Sequence, residues 1–498
     1  RGEMSVGALA EELVQRGHEC VYLRSGMDYS LRPGMRIRRS EVWKGVGCYS
    51  LFNSPNLAPG NFNFRNVGTQ VRCAAQAARV VAWVKAAAPD VVHIHALEGF
   101  SFDTVAAIRA AGFAVVITPH NYYYLCPQVD LLHDEKRVCT DYEGGVRCVG
   151  CLSHAPDPVR YRGWRKRYQT AERVFGPHAL ADLKSRMGHM RRWAGSLVGG
   201  RTGPVADEVE EGSRGEMPTP LPAAERDVEA RLLAANGHLV VLNEYGERRR
   251  AAVEALNSAN TVLCPSRFLS RVYGAFGVAA DRLRVVPLGQ PHFDEMNERA
   301  RDGAFYERSP WNAGGGGWER PLRFAFFGNC FPNKGLATLC TAIQRLAPDV
   351  SARSHFVIRA SGDDAAFRAA MRGFANVSFL GKYDLGQLVT TPGEYDVCVF
   401  PNMGLENSPL VVLEALNAGK FIIASDLGGP TDWVEPGRNG LLFRAGDCDA
   451  LAGCIGRVVR GEVRLPSPKE IHAASRLRRF EEYVAEVEGC YEGVSVKK

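Results

Sequence analysis

The sequence predicts two doubly wound α/β domains of the Rossmann-like kind facing each other across a cleft, and three observations carry that prediction. Strand-length apolar runs alternate with amphipathic stretches of helical period, the pattern of parallel sheets covered on both faces. That rhythm runs through the chain twice, on either side of a Gly-rich stretch at 290–320 with no sustained periodicity. The 498 residues are enough for two separate cores.

In chain order, the first domain spans 1–289. It opens on a helical stretch, RGEMSVGALAEELVQRG, with the first strand of such a domain missing ahead of it. Strands are expected at 20–24, 90–96, 114–122, 260–266 and 282–289, with a long helix at 69–88. A Cys-rich loop occupies 126–151, and a basic and then polar insertion occupies 157–228. After the linker 290–320, the second domain (321–465) repeats the rhythm more cleanly. PLRFAFFG, SHFVIRASG, VSFLGK, DVCVFP, FIIASD and NGLLFRAG are its strands. The remaining segment, 466–498, is a helix too isolated to form a core and is expected to pack back on a neighbouring domain.

Composition narrows the function. Sixty-one Lys and Arg against 55 Asp and Glu give a net charge of +6, which suits anionic ligands but is too weak an excess to imply nucleic acid. No apolar run approaches the roughly 18 residues that cross a bilayer. Fourteen cysteines, mostly single and within strand or helix patterns, read as reduced thiols of a cytoplasmic protein. Residues 157–202 hold eleven Arg and Lys against three acids, with Trp164, Tyr168, Phe175 and Trp193 among them. Such a stretch fits a peripheral contact with anionic lipid, or else the solvated face of an inserted helical pair.

The chemistry concentrates at 395–434, YDVCVFPNMGLENSPLVVLEALNAGKFIIASDLGGPTDWV. A strand ends at Pro401, Glu406 sits in the following turn, Asn407 and Ser408 are capping residues, and Pro409 suits the first helical position. The free N–H groups beyond Pro409 point out of the C-terminal edge of the sheet, where a diphosphate fits. Glu414 lies about a turn further on, within reach of a ribose diol. A second strand ends at Gly328 and Asn329, and its loop brings Lys334 to a helix start, where a lysine neutralises a leaving diphosphate. Asp426, Gly428, Gly429 and Asp432 follow a third strand and are expected at the same edge. Asp447-Cys448-Asp449 is the one D-x-D pattern and reads as an ordinary helix cap.

These motifs closely resemble glycosyltransferase family 4, the retaining GT-B enzymes. The resemblance rests on Glu406-x7-Glu414, FGNCFPNKG, SDLGGPTDWV and NTVLCPSRFLSRVYGAFGVAADRLRVVPLG, with LAEELVQRGHEC, PDVVHIH and VVITPHNYYYLCP in the first half. It covers nearly all the chain outside 157–228. It implies that Glu406 contacts the donor sugar, Glu414 the ribose and Lys334 the diphosphate. It further implies that Asn407, Ser408, Leu410 and Val411 hold sugar and phosphates, and that His120 stands by the reacting sugar on the facing domain. Gly2 is implied to belong to the tail of a Gly-rich loop near the diphosphate. Asn329 stands where the family often has arginine, and Asp432 where it has glutamate. The implied reaction is transfer of a sugar from a nucleotide-diphosphate sugar with retention, to a glycan, lipid-linked or small-molecule acceptor, with no cofactor required for catalysis. An epimerase or hydrolase of the same fold and a non-catalytic nucleotide-sugar-binding protein are the alternative readings.

Cys126, Cys139, Cys148 and Cys151 fall within 26 residues and end in a C-x2-C pair, a spacing suited to one structural Zn2+. Free or transiently bridged thiols are the other reading. His93 and His95 share one strand face and are read as hydrogen-bonding rather than metal-ligating residues.

Overall fold

The structure is a computed structural model, and it describes residues 2–58, 65, 67–176, 217–234, 240–309, 311–312, 317–318 and 320–495. The second half is built on one six-stranded sheet. In chain order its strands are Leu322–Asn329, Ser354–Ser361, Val377–Phe379, Val397–Phe400, Phe421–Ser425 and Gly440–Phe443. Every pairing is parallel. The strands read as unbroken apolar runs because helices cover both faces: Phe324, Phe326, Val397, Val399, Ile422 and Ile423 are all buried. Across the sheet the order is third, second, first, fourth, fifth, sixth. The direction of winding therefore reverses between Leu322–Asn329 and Val397–Phe400, and the reversal opens a crevice at their C-terminal ends.

The first half departs from the expected single sheet. Val91–Ile94, Ala114–Ile117, Thr261–Cys264 and Leu283–Val285 form a four-stranded parallel sheet. Val21–Ser25 stands apart from it, pairing parallel with Val46–Phe52, which pairs antiparallel with Arg36–Trp43. Backbones touch where the two sheets meet: a Cβ on Gly99 would lie 2.4 Å from the Ser25 carbonyl oxygen. The hairpin at 36–52 escapes sequence reading because RIRRSEVW is mostly exposed and carries no apolar run. The strand expected over 114–122 ends at Ile117. Pro119 removes a ladder donor, and the chain then turns, with the Leu125 and Cys126 amides donating to the Tyr122 carbonyl.

The helix Phe480–Val494 returns from the second half to the first. Its Phe480, Tyr483, Val484 and Val487 pack with Leu9, Leu13, Val116 and Leu263. Across the cleft, Met403, Leu405, Leu427 and Ala445 of the second half join the apolar cluster of the first. Of the basic stretch, the helix Pro158–Phe175 is described, capped by Asp157, whose carboxylate accepts from the Val159 and Arg160 amides. Gln169 ties it to the first half, accepting from the Tyr29 amide and donating to the Met27 carbonyl. Residues 177–216, including Trp193, lie outside the described residues. Among the described residues no helix is long and apolar enough to cross a membrane.

Candidate active site

The crevice at the winding reversal is where the predicted residues gather. Strand Leu322–Asn329 ends in Gly328 and Asn329, and a tight turn Pro332–Lys334 follows. Gly335 then takes a left-handed conformation (φ 73°) ahead of the helix Leu336–Gln344. From the neighbouring strand the chain runs through Pro401 into the turn that carries Glu406, and the Met403 amide donates to the Asn333 carbonyl to lock the two loops together. Lys334 and Glu406, 72 residues apart, meet as an ion pair. Their strands are neighbours in the sheet, so short local loops are enough to join them.

Gly328, Asn329, Lys334, Glu406, Asn407, Ser408, Leu410 and Val411 all line one cavity. Ser5 and His120 of the first half line it from the opposite side. Gly2 opens the helix Gly2–Gln15, whose first turn thus reaches the cavity at Ser5. The cavity holds the Lys334–Glu406 pair and presents the first turn of the helix Leu410–Asn417, so a phosphate that displaces Glu406 meets an ammonium and free backbone N–H groups. Among the residues that sequence reading missed are Lys382 and Tyr383. Lys382 adds a second cation, and Tyr383 packs edge-on to Phe327 (5.2 Å between ring centroids) to form an aromatic wall. The signal for them was present in GKYD after the third strand, but nothing local tied it to the crevice.

Several expected roles differ in the structure. Pro409 is the residue before the helix, not its first residue, and neither Asn407 nor Ser408 caps it. Asn407 instead reaches the other domain: Ser266 donates to its side-chain oxygen (3.1 Å), and its amide donates to the Pro119 carbonyl (3.3 Å). Asp432 also crosses the cleft, accepting from the Phe268 amide at the start of the helix Arg267–Ala275 (2.8 Å). Gly428 donates to Glu229 (2.6 Å), and the Gly429 amide donates to the Glu406 carbonyl (2.7 Å), so this loop braces Glu406 from behind. Glu414 does not line the cavity. It is 3% exposed and pairs with His292 Nε2 at 3.3 Å. Seven residues lie between it and Glu406, which sits in the turn before the helix. Asp447 caps the helix Cys448–Val459, accepting from the Ala450 amide (2.9 Å).

On the facing wall, His120 Nε2 lies 3.1 Å from His95 Nδ1, and the two rings stack. His93 hydrogen-bonds to Thr118 and Tyr491 through its two ring nitrogens. Burial pushes His120 down to about 4 and His93 to about 3, with the His120 charge adding to the latter; His95 falls well below its ordinary value for the same reason. These imidazoles are therefore neutral at pH 7, and the unfolded chain takes up protons that the folded chain refuses. Stability is accordingly present above the ordinary histidine pKa and is lost as pH falls below it. Denaturant unfolding at pH 7 and pH 5 should show a loss of up to about 1.4 kcal/mol per pH unit for each such histidine. Equal stability at the two values would show that the cluster does not resist protonation.

Cys126, Cys139, Cys148 and Cys151 do come together around one small cavity, apart from the cleft, with Arg249 among its lining residues. As their side chains stand, the described residues include no group of three His, Cys, Asp or Glu placed to hold a metal ion.

Comparison with known proteins gives the same picture for both halves. The family described as Glycosyltransferase Family 4 matches residues 2–175, and Glycosyl transferases group 1 matches 321–460. A phosphatidyl-myo-inositol mannosyltransferase of Mycolicibacterium smegmatis is 29% identical over 170 residues, 33% of this chain and 43% of that protein. A lipopolysaccharide 1,6-galactosyltransferase of Salmonella typhimurium is 42% identical over 60 residues, 12% of this chain and 17% of that protein. The match thus spans less than half the length of each of these curated relatives. In fold, the chain is similar to an α,α-trehalose-phosphate synthase from Burkholderia vietnamiensis, with a TM-score of 0.54 at 13% identity over 99% of this chain and 98% of that one. A sucrose-phosphate synthase from Thermosynechococcus elongatus gives 0.51 at 16% identity over 98% and 92%. Two Rossmann-like units walling one cleft make this a GT-B fold, and with a matching family on each unit the chain belongs to family 4 of the glycosyltransferases, the group 1 glycosyl transferases.

Proposed function

We propose that this chain transfers a sugar from a nucleotide-diphosphate sugar to an acceptor hydroxyl with retention of configuration. The observation that carries the reading is the convergence of Lys334, Glu406 and the start of the helix Leu410–Asn417 on one cavity faced by His120. Lys334 and the helix N–H groups bind the diphosphate and stabilise its departure. Glu406 gives up Lys334 to the phosphates and holds the sugar. The leaving phosphate takes the proton of the acceptor hydroxyl on the face it vacates, so the acceptor oxygen–sugar bond forms as the sugar–phosphate bond breaks and no dedicated base is needed. Catalysis then comes from positioning and charge stabilisation rather than from a metal. Tyr383 and Phe327 offer the base an apolar wall.

The acceptor is a glycan or a lipid-linked sugar. The described part of the basic stretch supports peripheral contact with an anionic lipid surface, since Trp164, Val174 and Phe175 are exposed on a helix that also carries Arg160, Arg165, Lys166 and Arg167.

Calorimetric titration with UDP, GDP and ADP tests the donor site. One of the three should bind with a micromolar Kd, and removing its β-phosphate should weaken binding about tenfold or more, as expected when a charged hydrogen-bond partner is lost. Silence with all three would remove the donor reading, and binding without transfer to any acceptor would favour a nucleotide-sugar-binding protein.

A further inference from the structure

The loop from Cys126 to Cys151 is built like a unit that needs a staple. Its only ladder among the described residues is the two-residue pair Leu132–His133 and Arg137–Val138. Val129, Leu131, Asp134, Glu135 and Glu143 all have positive φ, a region of backbone space that disfavours any residue with a Cβ. Strain on that scale persists only where the surroundings over-determine the chain. Val129 and Leu131 are held by core packing, but Asp134, Glu135 and Glu143 are exposed, and two two-residue strands do little to hold them.

The thiols are placed where a staple would act. Cys126 enters the hairpin, Cys139 leaves it, Cys148 and Cys151 lie about a turn apart on the helix Val146–Cys151, and all four line one cavity. One backbone amide already serves a sulfur: that of Asp134 lies 3.3 Å from Cys151 Sγ. Such N–H···S contacts are strongest when the sulfur is a thiolate.

Arg249 supplies a further observation. It is 2% exposed, its Nε donates to the Leu125 carbonyl at 2.6 Å, and its Nη1 has no acceptor. No carboxylate is among the described residues that line the cavity. The Tyr142 and Phe276 rings stack on its guanidinium and relieve part of the cost of burial, but no anion faces it and four neutral thiols supply none.

We infer that Cys126, Cys139, Cys148 and Cys151 bind one zinc ion as four thiolates, with Arg249 as the buried cation that offsets the charge of the complex. Four S–H groups release their protons to solvent, four zinc–sulfur bonds form, and nothing is oxidised or reduced. The resulting complex carries a net charge of −2, which gives Arg249 Nη1 its missing partner. Two of the thiols must turn for this: Cys139 Sγ now lies 3.8 Å from the Asp141 carbonyl and Cys151 Sγ 3.9 Å from that of Leu132. Each turn exchanges a weak S–H···O contact for a bond to the metal. Four thiolates leave no open coordination position, so the site is structural. Its position gives it a bearing on the cleft, because Leu131 packs in the same apolar cluster as Met403 and Leu405 of the donor half.

The chain purified from zinc-supplemented culture, never exposed to chelator, should contain one zinc per molecule by plasma mass spectrometry. A mercurial that captures thiols should release it to a chromophoric indicator. Replacing the zinc with cobalt should give the intense visible bands of tetrahedral cobalt thiolate. Cys148→Ser with Cys151→Ser should abolish the metal, whereas Cys73→Ser, outside the loop, should keep it. A metal-free wild-type chain, with the four sulfurs found either as reactive thiols or as disulfides by mass mapping, would overturn the proposal without any variant having to fold. None of these readouts depends on transferase activity, so they stand or fall separately from the proposed reaction.

Discussion

Lys334→Ala should lower kcat by about two to three orders of magnitude, the usual cost of removing one preorganised charge from a developing anion. The geometry explains why a single amine can matter so much. Lys334 is held at the end of a tight turn, beside a helix start, with its ammonium directed at Glu406. In the absence of donor the two charges neutralise one another, so Lys334 is kept in place without a bound anion. A diphosphate then exchanges one carboxylate for two phosphates, and negative charge on the leaving oxygen grows as the sugar departs. Asn329, at the end of the same strand, brings no charge, so Lys334 carries more of that burden than it would beside an arginine. Lys382, exposed at the edge of the cavity, should matter far less, with Lys382→Ala costing about fivefold or below.

The split between kinetic constants makes the test specific. A Lys334→Ala chain with normal kcat and raised KM would show that the lysine binds ground state and transition state alike, and would end its assignment to the leaving group. Folding is not expected to confound the result. Both partners of the pair are more than a quarter exposed, so the pair contributes little to stability and the midpoint of unfolding should hardly move.

How much of this was legible follows from which interactions are local. The six strands of the donor half were readable because each is buried on both faces and therefore spells an unbroken apolar run, as VCVF at 397–400 and FIIAS at 421–425 do. The meeting of Lys334 and Glu406 was readable too, since a doubly wound sheet puts the ends of its first and fourth strands side by side. What crosses the cleft was not. Asn407 looks like a helix cap and serves Pro119 and Ser266; Asp432 looks like a donor-site acid and caps a helix of the other domain. Nothing in the periodicity of either segment records a partner more than a hundred residues away. The setting of Glu414 was illegible for a different reason: a helix has several faces, and only the packing of His292 reveals that this carboxylate turns inward. In the first half, the polar strand Arg36–Trp43 left no apolar run to detect.

Gly335→Ala should destabilise the second half by about 3–5 kcal/mol, near the upper end for a single substitution, and lower transfer by about a hundredfold or more. Two separate costs combine at this position. Gly335 sits at φ 73°, where a Cβ costs about 1–2 kcal/mol through contact with its own backbone. That Cβ would also stand 1.8 Å from the Pro401 carbonyl oxygen, a backbone atom of the neighbouring strand end that cannot swing aside as a side-chain tip would. Two control glycines separate the terms. Gly381 has φ 72° but nothing within 4 Å, so Gly381→Ala should show the conformational cost alone. Gly373 has open space and no positive φ, so Gly373→Ala should be close to neutral. Denaturant midpoints ordered Gly373, Gly381, Gly335 would confirm that the clash adds to the strain. A Gly335→Ala chain as stable as Gly381→Ala would mean that the two loops can part without cost. The functional consequence rests on the same contact. Gly335 and Pro401 touch because the loops carrying Lys334 and Glu406 leave adjacent strands, and only a residue without a side chain lets them close to ion-pair distance. Moving them apart by about 1 Å costs on the order of a hundredfold in rate even in a chain that still folds. Refolded Gly335→Ala protein that retains near-normal kcat would therefore dissociate the close approach of the two loops from the chemistry they are proposed to perform.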